Sequence, residues 1–96
     1  MDPVAFAKIQ RAAAEPNRLE ILEIIRQLSE DEGISCTNVL SQIDVSQSTF
    51  SHHISELIEA GLVSGVKQGR SMLLSVNQPL VEEYLDELKR KILGKK

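Results

Sequence analysis

Residues 46–63 read SQSTFSHHISELIEAGLV, and the reading of this stretch decides the fold. Phe50, Ile54, Leu57 and Ile58 fall at i, i+4, i+7 and i+8, the spacing of a single buried stripe along an amphipathic helix. Ser46 suits the N-cap, where its side-chain oxygen can accept from a backbone N–H of the first turn. Gly61 is placed to stop the helix. The adjacent His52 and His53 raise three readings: a metal site, a catalytic pair, or contact with something large and polar.

Helical geometry disposes of the first two. Metal ligands on one helix must share a face, at i, i+3 or i, i+4, whereas neighbours diverge by about 100° around the axis. Only Glu56 lies within a turn to assist, so no metal ligand is assigned here. Ser51 and His52 diverge in the same way and do not make a nucleophile–base pair. The chain has no nucleophile elbow, no Gly-rich phosphate loop and no paired-carboxylate constellation. No enzymatic activity, catalytic residue or cofactor is expected.

The third reading uses the face opposite Phe50 and Ile54. Gln47, Ser48, Ser51 and His52 project from the first two turns as short donors and acceptors, which lets a helix N-terminus enter the major groove of DNA. Gln can address adenine bidentately, and hydroxyls serve bases or phosphates. His53 lies nearer the core side and reads as a packing or phosphate-contact residue. A polar face is most often merely solvated, so its context matters.

Upstream, residues 3–13 form a short Ala-rich helix, interrupted at Glu15-Pro16-Asn17. Ile21, Ile24, Ile25 and Leu28 then give a second amphipathic helix. The acidic Glu30-Asp31-Glu32 and Gly33 form a loop, and Ile34 begins a very short extended piece. Ser35 or Thr37 caps a brief helix running to about Ile43. Downstream, Leu62 to Val76 reads as a β-hairpin with its turn at Gln68-Gly69, and Met72, Leu74 and Val76 alternate. Pro79 opens a last helix, about 79–93, with an apolar stripe of Val81, Tyr84, Leu85, Leu88 and Ile92. Two helices joined by a tight turn, with a hairpin behind, is a mainly α winged helix-turn-helix layout, α1-α2-α3-α4-β-β-α5. Lys67 and Arg70 flank the hairpin tip, where cations suit the DNA backbone or minor groove.

Composition bounds the rest. Ninety-six residues make one domain, 1–96, with an aliphatic core, since the chain has no Trp, one Tyr and two Phe. So thin a core favours dimerisation. No apolar run approaches the roughly 20 residues of a membrane span, no signal-peptide pattern opens the chain, and the lone Cys36 fits a reducing cytoplasm. The net charge of −3 argues against a polyanionic partner, but its distribution does not. Residues 1–45 sum to −4, residues 46–78 to zero and residues 79–96 to +1, so the central segment is the one least repelled by DNA.

Three stretches resemble the ArsR/SmtB-type winged-helix repressors. AAAEPNRLEIL (12–22) is similar to the family's ALADPTRLRIL. VSQSTFSHHISELIEAGLV (45–63) is similar to its recognition helix, LSQPTVSHHLKVLREAGLV, and KQGRSMLLSV (67–76) to its wing, REGRxxYYSL. The resemblance implies a dimeric transcriptional repressor that leaves its operator when an inducer binds. It implies Gln47, Ser48, Thr49, Ser51, His52 and His53 as the DNA-facing set, which Ser46, Lys67 and Arg70 complete. It also implies that the first and last helices form the dimer interface, with Val4 and Phe6 from one and Val81, Tyr84, Leu85, Leu88 and Ile92 from the other.

The departures bear on mechanism. The family's Cys-x-Cys metal ligands (ELCVCDL) align without gaps with Ser35 and Thr37, and its last-helix ligands (D-x-H…H-x-x-[EH]) with Gln78, Leu80, Lys91 and Gly94. These residues cannot hold zinc, cadmium, nickel or a three-thiolate arsenic centre, so a member without the known metal sites is expected. Cys36 reads as a small buried apolar residue. The alternative is a redox-responsive thiol, since a helix N-terminus favours thiolate. A second alternative is a winged helix whose polar face meets protein instead of DNA.

Overall fold

The computed structural model describes residues 1–94; the expected domain ran to residue 96, and residues 95 and 96 lie outside the described ones. The elements are α1 (Pro3–Ala14), α2 (Pro16–Leu28), β1 (Ile34–Ser35), α3 (Cys36–Leu40), α4 (Gln47–Glu59), β2 (Val63–Gln68), β3 (Ser71–Val76) and α5 (Gln78–Leu93). Local chemistry sets the boundaries. Asp2, Glu15, Ser35, Ser46 and Asn77 each accept a backbone N–H of the helix they precede, which satisfies a donor that the first turn leaves without a partner. Pro3, Pro16 and Pro79 occupy first-turn positions, where a missing N–H costs nothing.

The core gathers one stripe from each of α1 to α4 against the sheet. Ile9, Ile21, Ile25, Val39, Leu57 and Leu74 are its most deeply buried side chains. Each large aliphatic residue among them contributes about 1.5–3 kcal/mol through burial. The strands form an antiparallel sheet in the order β1-β3-β2, so the wing is a hairpin with a short third strand. Ile34 pairs with Leu74, and that register needs Gly33, whose φ is +109°. A Cβ at Gly33 would stand 2.5 Å from the Leu74 carbonyl oxygen.

Two boundaries differ from the sequence reading. Gln68 pairs with Ser71, so the two-residue turn is Gly69-Arg70 rather than Gln68-Gly69. Gly69 takes φ +63° at the first loop position while Arg70 keeps a negative φ; a Gly at that position is what a type II′ turn calls for. The α3 helix stops at Leu40, short of Ile43. There Gln42 N–H bonds to the Val39 carbonyl and Ile43 N–H to the Leu40 carbonyl, and these i→i+3 bonds tighten the chain into a turn.

The largest consequence for assembly lies in α5. Glu87 is its one buried residue, held by the Arg90 guanidinium one turn on. Hydrogen bonding from Arg90 keeps the Glu87 carboxyl below the usual carboxylate range, against the opposing effect of burial. Leu80, Val81 and Tyr84 rest against the core, whereas Leu85, Ile92 and Leu93 are exposed, as is Val4 on α1. Phe6, expected at the dimer interface, is instead buried inside the chain against Tyr84.

Candidate nucleic-acid interface

Helix α4 splits into two faces. Phe50, His53, Ile54 and Leu57 are buried, while Gln47, Ser48, Thr49, Ser51, His52 and Ser55 are exposed. Gln47, Ser51 and Ser55 fall at i, i+4 and i+8, and with Ser48 and His52 they make a polar strip from the start of the helix to Ser55. Ser55 belongs to that strip although the sequence reading stopped at His52; its spacing from Ser51 was the available signal. The Ser46 hydroxyl accepts from Thr49 N–H at 3.2 Å and donates to the Thr49 hydroxyl at 2.9 Å. Ser46 and Thr49 therefore fix the helix start, with Gln47, Ser48 and Ser51 open to solvent beside them.

His52 is exposed, with Nε2 3.8 Å from Glu56 Oε1 one turn on. His53 is the residue that the structure takes out of the exposed set, at 7 % exposure. Its Nδ1 accepts from Arg18 Nε at 3.1 Å, and its Nε2 lies 3.6 Å from Glu15 Oε2. Its burial against α2 favours the packing role over a base contact, of the packing and phosphate-contact roles that the sequence left open. The two imidazoles diverge as helical neighbours must, with centroids 6.0 Å apart. Among the described residues no group of three or more His, Cys, Asp or Glu side chains could hold a metal ion.

The wing carries Lys67 in β2 and Arg70 at the turn, both exposed. Between α3, the polar strip and β3 runs an open cleft of about 520 Å³, lined by Cys36, Leu40, Gln47, Phe50, Ser51 and Met72 among others. Cys36 opens α3, but α3 has only five residues, and burial pushes the thiol above its ordinary range. Desolvation disfavours the thiolate, which favours the apolar reading of Cys36 over the alternative of a stabilised thiolate, although the side chain is half-buried and not fully buried as that reading expected. Among the described residues no helix is long and apolar enough to cross a membrane.

A three-helix core, a capped helix with a small-residue polar face and a basic hairpin beside it define a winged helix-turn-helix domain. The sequence profile described as "Helix-turn-helix domain" matches residues 13–66. The chain is 32% identical over 87 residues to an arsenical resistance operon repressor of Staphylococcus xylosus, covering 91% of this chain and 76% of that protein. It is 35% identical over 90 residues to the HTH-type transcriptional regulator NmtR of Mycobacterium tuberculosis, covering 91% of this chain and 72% of that one. In fold it is similar to an ArsR-like transcriptional regulator from Rhodococcus sp. RHA1, with a TM-score of 0.78, 23% identity, and coverage of 91% and 78% of the two chains. The chain belongs to the ArsR-type family of winged helix-turn-helix transcriptional repressors. It is a DNA-binding regulator of transcription, not an enzyme.

Proposed function

We propose that the chain acts as a homodimer on a pseudo-palindromic operator, reading each half-site with the Gln47–Ser48–Ser51–His52 face of α4. The observation that carries this is the division of α4, whose N-terminal half exposes short polar groups while its other face is buried. Gln47 is suited to adenine, and the hydroxyls of Ser48 and Ser51 to bases or phosphates. Lys67 and Arg70 on the wing contact the flanking backbone or minor groove. The two recognition helices address half-sites about 34 Å apart. Dimerisation uses the exposed apolar side chains of α1 and α5, Val4, Leu85 and Ile92, with Leu88 half-buried beside them. Ser35, Thr37, Gln78, Leu80, Lys91 and Gly94 supply no metal-ligand set, so any inducer acts without the family's known metal sites.

The test is a mobility shift with DNA upstream of the chain's own gene, repeated over a range of salt concentrations. Binding should weaken steeply with salt as phosphate counterions are released. The double variant Ser48→Ala/Ser51→Ala should lose operator binding and keep its dimer. Wild-type affinity in that variant would refute the assigned reading face. No shift at any salt would favour a protein partner for this face.

A further inference from the structure

We propose that Glu15, Arg18 and His53 form a clasp that sets the orientation of α4, making Arg18 and His53 positioning residues for operator reading rather than DNA contacts. The proposal rests on the reading of α4 as the recognition helix.

A guanidinium has donors and no acceptor. Because Arg18 Nε lies 3.1 Å from His53 Nδ1, that nitrogen must carry a lone pair, and the neutral ring then holds its proton on Nε2. Nε2 faces the Glu15 carboxylate at 3.6 Å, beyond hydrogen-bond length, so the N–H dipole of a neutral ring, and not a ring charge, is directed at the carboxylate. The same Glu15 oxygen accepts Arg18 N–H at 3.1 Å as the α2 cap. Arg18 Nη1 also reaches the Arg11 carbonyl at 3.5 Å. The Arg18 guanidinium thus joins the end of α1 to the imidazole in the middle of α4, beside the Glu15 cap of α2.

The position of that imidazole gives the clasp its leverage. Phe50, Ile54 and Leu57 hold α4 to the core by apolar contact, which is non-directional and tolerates small rotations. The Arg18–His53 bond is directional, part-buried, and joins residues 35 apart in sequence. It grips α4 at the neighbour of His52, between Gln47 and Ser55 of the polar strip. A reading face must be held to within roughly 0.5 Å and 10–20° to discriminate bases, whereas phosphate attraction is far less demanding. Losing the clasp should therefore reduce selectivity before it reduces general DNA affinity.

The experiment measures full-chain binding to operator and to a scrambled duplex across salt, with thermal unfolding as the check on folding. Arg18→Met keeps the apolar stem, Arg18→Lys keeps the charge, His53→Leu removes the acceptor, and His53→Asn puts a carbonyl near the Nδ1 position. Arg18→Met, Arg18→Lys and His53→Leu should each lower the operator-to-scrambled ratio by about tenfold, the scale of one lost buried hydrogen bond to a charged group. The affinity for scrambled DNA and the salt slope should stay at wild-type values. His53→Asn should recover most of the lost ratio. A partly unfolded variant would instead weaken on both duplexes equally, and His53→Asn would then show no recovery. If Arg18→Met flattened the salt slope by about one and weakened both duplexes alike, Arg18 would be a phosphate contact and the clasp proposal would fall. An unchanged ratio in all three disruptive variants would overturn it too. Failure of the wild-type chain to prefer operator would refute the recognition-helix reading itself, before any variant is compared.

Discussion

Phe6 of α1 and Tyr84 of α5 pack with ring centroids 5.2 Å apart and planes tilted by 42°, and the Lys91 ammonium stands 5.5 Å above the Phe6 ring. Each ring is joined to the other's helix within a single chain, so Phe6 is part of the protomer and not free for a partner. Tilted aromatic pairs add about 0.5–1.5 kcal/mol beyond burial, and the cation over the ring contributes further.

On α1 and α5 the exposed large apolar side chains are Val4, Leu85, Ile92 and Leu93, at 52–70 %, and the proposed dimer interface is built on this set. Leu85→Glu combined with Ile92→Glu should convert the homodimer to a monomer in sedimentation velocity, with helix content retained. Phe6→Ala should behave differently, lowering protomer stability by about 3–5 kcal/mol in urea titration. Dimer retention by the double Glu variant would remove α5 from the interface.

Glu56 lies beside the proposed reading face, through its 3.8 Å approach to His52. A carboxylate there repels DNA phosphates and holds His52 back along the helix. Glu56→Gln should tighten operator binding about two- to fivefold at low salt, the scale of one exposed charge, and the gain should shrink as screening increases. Fluorescence anisotropy on the wild type and variant at matched salt reads this out directly. Weaker binding by the variant would mean that the His52–Glu56 contact orients His52 usefully.

Much of the architecture was legible because local signals agreed with tertiary demand. Ser46 and Pro16 marked helix starts by chemistry that acts within a single turn, and Phe50, Ile54 and Leu57 turned the correct face inward. The turn slipped by one residue because Gly69 can serve either position of a two-residue loop, and only the Gln68–Ser71 pairing fixes which. Periodicity placed His53 on the core side of α4, but its partner Arg18, like the partner Tyr84 that buries Phe6, lies far away in sequence, where periodicity does not reach.

Gly33 offers a test of how the wing is attached to the domain. Its φ of +109° is unfavourable for any other residue, and a Cβ would press on the Leu74 carbonyl where β1 meets β3. Gly33→Ala should cost about 2–4 kcal/mol from backbone strain and steric displacement. Urea unfolding should show a lower midpoint with an unchanged slope. Gly69→Ala creates no crowding and incurs the positive-φ penalty alone, since nothing lies within 4 Å of its Cβ position, and should cost less. Equal effects at the two glycines would mean that the Leu74 contact carries no weight.

Cys36 connects the thiol question to the proposed reading face, because it lines the same cleft as Gln47 and Ser51. A raised pKa means that less thiolate is present at neutral pH than in a free thiol, and thiolate is the reactive form. Alkylation by iodoacetamide at pH 7 should therefore be slower than that of free cysteine and should accelerate as pH rises. Once attached, the added group would sit beside Gln47 and Ser51, so fully modified protein should bind operator more weakly, whereas Cys36→Ser should bind as the wild type does. Faster alkylation than free cysteine, or loss of an oxidant response in Cys36→Ser, would instead support a redox-sensing thiol. Full operator affinity after complete alkylation would separate the cleft from the surface that reads DNA.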